Sequence, residues 1–267
     1  MNGNKLALGT VQFGVDYGIS NKDGKVSLDK VGEILNYAKT QGIQILDTAQ
    51  GYGESEKVLG NFDLKEFKII TKIIDDGNLQ NSLEDLKLNS VYGLMFHRED
   101  QINDKTWAVF EDYKARKLVD KIGISFYSPA KLLEIMEKYP IDIVQFPLNV
   151  LDQRFLPILP KLKEKNIEVH IRSTFLQGLL LMEIENINNY FDPIKPILEK
   201  LPAEKLATAL SFVKNIREVD KIVVGVTSKK ELQEICSQYN KNIEGRDFSQ
   251  YKIDDEMFIN PSRWELL

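Results

Sequence analysis

Short, nearly continuous apolar runs alternate with longer stretches whose apolar residues recur every three or four positions, from one end of the chain to the other. The runs are "KLALGT", "IQILDT", "FKIITK", "VYGLMFH", "KIGIS", "DIVQFP", "IEVHIRS" and "KIVVGV", eight in all. They are dense in Val, Ile and Leu instead of strictly alternating with polar residues, which predicts strands buried on both faces of a parallel sheet. Between them, "SLDKVGEILNYAKTQG" sets Val31, Ile34, Leu35 and Ala38 on one helical face and offers Gly42 as the stop. "NLQNSLEDLKL", "KTWAVFEDYKARK", "SPAKLLEIMEKY", "RFLPILPKLKEKN", "AEKLATALSFVKNI" and "KKELQEICSQYN" predict further helices, so that each strand is followed by a helix. An α/β fold closed into a (β/α)8 TIM barrel is the expectation, with an open doubly wound sheet as the alternative.

Length agrees, since 267 residues suit one barrel, and no long Gly/Ser or Pro linker divides the chain, so residues 1–267 are expected to form a single domain. The stretch "EIENINNYFDPIKPILEKLP" exceeds an ordinary connection between strand and helix and is expected to pass over the active face. Composition adds exclusions. Hydrophobic residues make up 43% and charged ones 28%, a globular balance. The formal net charge is −5 with both signs interspersed, which offers no footprint for nucleic acid. The single cysteine, Cys236, lies on an apolar helical face and excludes an internal disulfide. "MNGNKLALGT" lacks the apolar run of a signal peptide, and no stretch reaches the roughly 18 apolar residues that span a bilayer. A cytoplasmic address without a membrane is therefore expected, and the oligomeric state is unreadable.

In a barrel the chemistry belongs to the C-terminal ends of the strands, here Thr10, Asp47, Lys72, His97, Ser125, Gln145, Arg172 and Gly225. Tyr52 follows Asp47 between Gly51 and Gly53 in "DTAQGYGESEKVLG". Each has a plain explanation alone: Asp47 a turn or cap, Tyr52 a turn aromatic, Lys72 a solvated strand end, His97 a core residue. Together they suit proton donation. A phenol titrates near 10, and bringing it to neutrality takes roughly 4 kcal/mol of differential interaction. An adjacent ammonium can supply that if a carboxylate keeps the ammonium charged. The expectation is that Asp47 holds Lys72, Lys72 acidifies Tyr52, and a neutral His97 orients a carbonyl or relays the proton.

With these residues the chain resembles the aldo-keto reductase family, whose members reduce carbonyls with a nicotinamide cofactor by means of an Asp, Tyr, Lys and His tetrad. The resemblance covers nearly the whole chain, from "LGTVQFG" through the tyrosine motif, "ITK" and "MFH" to "IGIS", "VQFPLNVLD", "RSTFLQGLLL" and "VVGVTSKKEL". It implies that Asp47, Tyr52, Lys72 and His97 are catalytic and that the substrate is a small carbonyl compound. It further implies that Ser125 and Gln145 hold the nicotinamide carboxamide, with Gly9, Thr10 and Asp47 beside the ribose and ring. Arg172 and Ser173 stand where many relatives stack a tyrosine under the nicotinamide, and a guanidinium plane can stack too. Phe126 stands where an asparagine often follows the serine. Gly225, Val226, Thr227, Ser228 and Lys229 open the last helix and are expected at the pyrophosphate. Gly225 and Glu231 occupy places where relatives selective for the extra phosphate carry basic residues, and Lys229 and Lys230 are the substitutes; NADPH is expected, with NADH as the alternative.

Two phosphate-loop look-alikes fail. "GYGESEKVLG" has Glu56 where a dinucleotide fingerprint needs its third glycine, and "GISNKDGKV" has the wrong spacing and Val26 for the required hydroxyl, so a turn at Asp23-Gly24 is expected. His170 is expected to pack in the core, and no residues have metal-ligand spacing. Two other functions compete: a barrel aldolase or isomerase forming a Schiff base on Lys72, and a non-catalytic nicotinamide-nucleotide-sensing regulatory subunit. The substrate walls are expected from Phe13 to Tyr17, Arg98, Phe126, the long loop after the seventh strand and the C-terminal tail with Trp264. The short tail "NPSRWELL" suggests an open mouth, and the polar rim with Arg172 a sugar-like or anionic carbonyl compound.

Overall fold

The structure is a computed structural model that describes residues 4–74, 77–241 and 247–264. The predicted strands are present as β1 (Leu6–Gly9), β2 (Ile45–Asp47), β3 (Lys68–Ile73), β4 (Val91–Phe96), β5 (Val119–Ser125), β6 (Ile143–Pro147), β7 (Glu168–Arg172) and β8 (Lys221–Gly225). They pair in sequence order, all parallel, and β8 returns to β1 with Gly9 opposite Gly225, closing the barrel and excluding the open sheet. The registers Gly9↔Asp47, Lys72↔Met95 and Ser125↔Gln145 bring the strand ends to one rim. Residues in register share a face, so their side chains converge inside the mouth.

Helix Leu28–Thr40 buries Val31, Ile34, Leu35 and Ala38 against the barrel wall, as the spacing predicts. Gly42 stops it at φ +68. There the Ile43 N–H bonds Ala38 O at 3.0 Å and the Gly42 N–H bonds Lys39 O at 3.0 Å, the paired bonds of a Schellman ending. The helix after β2 is only Ser55–Leu59, five residues, which keeps the tyrosine motif short and close to the rim.

Ala7, Ile45, Ile70, Met95 and Ile143 fill the barrel interior. Nearer the opposite end, His170 is fully buried with its Nε2 2.6 Å from Glu168 Oε1, while Tyr92 donates to Glu168 Oε2 at 2.7 Å and Lys121 ion-pairs the same carboxylate. His170 thus has the packing role expected of it. Cys236 is likewise buried on its helix.

The proline-rich connection after β7 departs from expectation. Only its first part, through Phe175, Gln177, Gly178 and Leu181, reaches the mouth. Beyond it, Phe191 is buried edge-on against Trp264 with ring centroids 4.9 Å apart, and the Tyr190 hydroxyl donates to Met257 O at 2.8 Å. Packing of these aromatic rings on the C-terminal segment withdraws apolar surface from water. The last three residues of "NPSRWELL" and the first three of "MNGNKLALGT" lie outside the described residues. Among the described residues no helix is long and apolar enough to cross a membrane.

Candidate active site

Thr10 begins the site by tying β1 to β2: its N–H and hydroxyl both donate to Asp47 O, at 3.0 and 3.1 Å. Ser55 reaches back to Thr10 Oγ1 at 2.8 Å, fixing the start of the short helix beside β1. Two glycines let the tyrosine turn sit this close. A Cβ on Gly14 would fall 1.7 Å from Tyr52 O, and Gly53 adopts φ +58. The turn is therefore clamped between β1's loop and β2, and Tyr52 is aimed into the mouth.

Lys72 is fully buried, and its Nζ donates to Asp47 Oδ1 at 2.6 Å, to Thr48 O at 3.0 Å and, at 3.5 Å, to the Tyr52 hydroxyl. An ammonium only donates, so the phenolic oxygen accepts from Lys72 and its own proton is left to point elsewhere. Asp47 Oδ2 accepts from Gln145 Nε2 at 2.7 Å. A carboxylate offers no donor, which fixes the amide orientation and turns Gln145 Oε1 away, where this buried atom has no partner. His97 stands edge-on to Tyr52 with centroids 5.6 Å apart, and its buried Nδ1 also lacks a partner.

The electrostatics follow one expectation and correct another. Burial, with Lys72 and Arg172 adding their repulsion, pulls His97 from 6.5 down to about 4, so the ring is neutral at pH 7. Tyr52, expected to be acidified by Lys72, is instead raised above its ordinary value: burial dominates, the Asp47 charge adds to it, and Arg172 opposes both. Lys72 is itself lowered by burial, with Asp47 drawing it back up. The phenol is thus a firmly protonated donor before any ligand enters, and the ammonium touches it only through a long bond.

The mouth opens into a cavity of about 710 Å³. Asp47, Tyr52, His97, Ser125, Gln145, Arg172 and Ser173 line it together with Gly9 and Thr10, and Gly225, Val226 and Thr227 line its far end. Lys72 stands behind Tyr52 and Asp47, outside the lining. Ser228 and Lys229 are not in the lining either. Ser228 caps helix Lys229–Tyr239 by accepting from the Glu231 N–H at 3.3 Å, and Lys229 and Lys230 are exposed. Glu231 folds back to accept from the N–H, at 2.7 Å, and the hydroxyl, at 2.9 Å, of Thr227, the residue before the N-cap. One N–H of the stretch expected at a pyrophosphate, that of Thr227, is therefore already bonded, and Glu231 and Glu234 both line that end.

Of the expected substrate walls, Tyr17 and, from the C-terminal tail, Pro261 and Ser262 line the cavity. Phe13 and Phe126 are fully buried in the core, Arg98 pairs with Asp100 at 3.2 Å, and Trp264 packs on Phe191. The loop Gly18–Asp23 and Gln177 take their place, joined where Gln177 Nε2 donates to the Tyr17 hydroxyl at 3.1 Å. The turn at Asp23-Gly24 is present, with Gly24 at φ +72. Sequence reasoning also passed over Glu56, a buried acid that accepts from Thr71 Oγ1 at 2.5 Å and Ser82 Oγ at 3.2 Å and so pins the helix after Tyr52 to β3. Its Ser-Glu pattern inside the tyrosine motif was the available signal. Among the described residues no group of three His, Cys, Asp or Glu could hold a metal ion.

The unpartnered Gln145 Oε1 and the lining hydroxyl of Ser125 fit a carboxamide, which brings one donor pair and one acceptor. Comparison with known proteins agrees with a redox family. The chain is 29% identical over 203 residues, 66% of each protein, to an uncharacterized oxidoreductase, YqkF, of Bacillus subtilis (strain 168). Its fold is similar to that of the aldo-keto reductase AKR11C1 from Bacillus halodurans in its holo form (TM-score 0.72, 21% identity, 92% of this chain and 90% of that one). It is also similar to the glycerol dehydrogenase AKR11B4 from Gluconobacter oxydans (TM-score 0.66, 18% identity, 90% and 88%). The model of the Aldo/keto reductase family matches residues 5–254, a span that holds all eight strands and Asp47, Tyr52, Lys72 and His97, and the chain belongs to that family.

Proposed function

We propose that the protein reduces an aldehyde or ketone to an alcohol with a nicotinamide cofactor, Tyr52 giving the proton to the carbonyl oxygen. The observation that carries this reading is the one-way hydrogen bond from Lys72 to Tyr52, which leaves the phenolic proton free toward the cavity. The cofactor supplies hydride when bound. Ser125 and Gln145 Oε1 would orient its carboxamide, and Asp47 holds Gln145 in place for that task.

Tyr52 begins as a neutral phenol, raised by burial and Asp47. As its proton leaves, negative charge develops on the phenolic oxygen 3.5 Å from the Lys72 ammonium, so that bond strengthens in the transition state more than in the ground state. At an effective dielectric of about 20, unit charges at such a distance attract by roughly 4 to 5 kcal/mol, an upper bound on what Lys72 contributes. His97, neutral above about pH 4, can donate one ring N–H to the same carbonyl oxygen. Lys72 is poorly placed for a Schiff base: its nitrogen is ion-paired and does not line the cavity.

The substrate we favour is a small polyhydroxylated or anionic carbonyl compound, because Tyr17, Ser20, Asn21 and Gln177 present polar groups at the rim. The expectation of NADPH rested on Lys229 and Lys230, both exposed outside the lining, while Glu231 and Glu234 face the nucleotide end. The reading therefore stays at NAD(P)H. The test follows loss of the reduced nicotinamide absorbance with NADPH and NADH across aldehydes, ketones and keto sugars, in the wild type and Tyr52→Phe. Turnover that Tyr52→Phe abolishes while nucleotide binding persists supports the reading; retained activity removes Tyr52 from the acid role. Tight nucleotide binding without turnover of any carbonyl would return the protein to the sensing-subunit reading.

A further inference from the structure

Arg172 is a half-buried guanidinium in the cavity wall whose hydrogen bonds are all long and all to neutral oxygens: Ser125 Oγ at 3.4 Å, Ser173 Oγ at 3.5 Å and Phe126 O at 3.3 Å. Five N–H donors of a permanent cation are thus weakly used. No ion pair joins it to a carboxylate among the described residues, and Asp47, a carboxylate of the same cavity, is committed to Lys72 and Gln145. The Tyr127 ring lies 4.1 Å from the guanidinium carbon and covers one side of the plane. The charge nonetheless reaches the site, since it opposes phenol protonation at Tyr52 and imidazole protonation at His97.

The guanidinium is also the neighbour of the carboxamide-binding pair. Its Nε is 3.4 Å from Ser125 Oγ, and Ser125 pairs in register with Gln145. A ring whose carboxamide is held by those two side chains is a neighbour of the Arg172 plane. Such a plane stacks well on a neutral or electron-rich ring and poorly on a cationic one. Reduced nicotinamide is neutral and oxidised nicotinamide is a pyridinium cation. We infer that Arg172 makes the site discriminate between cofactor redox states, binding the reduced nucleotide more tightly than the oxidised one and so fitting the protein to work as a reductase. This rests on the nicotinamide reading of the cavity and adds to it a direction, set by one residue outside the Asp-Tyr-Lys-His group.

The effect is electrostatic, so it follows the charge at position 172. Two like charges at contact range in a partly dry site repel by more than 1.4 kcal/mol, and that figure alone is tenfold in an equilibrium constant. The experiment is calorimetric titration of NADPH, NADP⁺, NADH and NAD⁺ into the wild type, Arg172→Gln and Arg172→Lys, with no substrate present. The expected result is a reduced form bound about tenfold or more tightly than its oxidised partner in the wild type. Arg172→Gln should shrink that ratio about tenfold, chiefly by tightening the oxidised form, and Arg172→Lys should keep most of it. A wild-type ratio near one overturns the inference even if Arg172→Gln does not fold. So does Arg172→Gln weakening both forms in step, which would mean a packing role or a site for an anionic substrate. Binding of no nucleotide at all would instead overturn the cofactor reading, and with it this inference.

Discussion

Replacing one partner of the Lys72–Asp47 pair should cost far more than replacing both. The pair is buried at both ends, with side chains 1% and 3% exposed and 2.6 Å between Nζ and Oδ1. Asp47→Asn leaves an ammonium whose burial already lowers its proton affinity, with only neutral acceptors around it: the new amide oxygen, Thr48 O and the Tyr52 oxygen. Breaking a buried pair from one side typically costs about 3–5 kcal/mol, because the remaining charge stays desolvated. Lys72→Met strands the Asp47 carboxylate similarly, though Gln145 still donates to it. The double variant removes both charges and should cost under about 2 kcal/mol, giving a coupling energy of about 3 kcal/mol or more. Urea unfolding at pH 7.5 of the wild type, both singles and the double closes the cycle. A pH series adds a sign. With Asp47 gone, the folded affinity of Lys72 for its proton drops further below the unfolded one, so the unfolded state binds more protons and stability rises with pH. Asp47→Asn should regain stability relative to the wild type as pH increases above neutrality. Additive single effects, or a pH response equal to that of the wild type, would show that the two charges do not depend on each other.

His97 supplies a second pH signature. Its folded value of about 4 lies below the ordinary 6.5, so its contribution is complete above about pH 6.5 and is lost as pH falls toward 4. Between pH 7 and 4.5 the wild type should lose about 2.5 kcal/mol more than His97→Gln in urea unfolding, and equal losses would refute the depression. Gly14→Ala places a methyl 1.7 Å from Tyr52 O and 2.5 Å from Ser55 N, both backbone atoms. It should cost about 2–4 kcal/mol in thermal unfolding and displace the tyrosine turn, and a neutral substitution would contradict the close approach. Gln145→Leu removes the donor to Asp47 Oδ2 and the free Oε1 together; calorimetry should show nucleotide affinity reduced about tenfold, and unchanged affinity would remove Gln145 from the carboxamide site.

The barrel and the convergence of Asp47, Tyr52, Lys72 and His97 were legible because they depend on local pattern: apolar runs of strand length, and strand ends that a parallel barrel must gather at one rim. What the chain hid depends on distances. No pattern reveals that Lys72 meets the Tyr52 oxygen at 3.5 Å while burial acts on all of the phenol, so the expected acidification was assigned the wrong sign for the resting site. Lys229 and Lys230 read as phosphate ligands because they stand at the start of a helix, yet the helix turns them to solvent and Glu231 takes the Thr227 N–H. Some of the walls were misassigned for a similar reason, although Tyr17 and the C-terminal tail do border the cavity. Phe13 and Phe126 are apolar enough to be drawn into the core, leaving the polar loop Gly18–Asp23 to border the cavity.

Asp47 ties these parts together, because its two oxygens serve different purposes. Oδ1 keeps Lys72 cationic, and Oδ2 holds the Gln145 amide so that Oε1 faces outward. On the proposed reading, one buried carboxylate therefore links the ammonium that would stabilise the phenolate left by proton donation to the group suited to a carboxamide, across β2, β3 and β6. The Asp47 charge also raises the Tyr52 phenol at rest, which opposes premature loss of the proton. A ligand amide on Gln145 Oε1 would draw electron density through that amide and strengthen its donation to Asp47, because hydrogen bonds in a chain polarise one another. Asp47 would then hold less charge for Lys72, leaving the ammonium freer to follow the phenolic oxygen as the proton departs. On the proposed reading the acid would be weakest when the cavity has no ligand and strongest when a carboxamide is in place, an ordering that protects the phenol from idle ionisation and is set by Asp47 from the cavity wall.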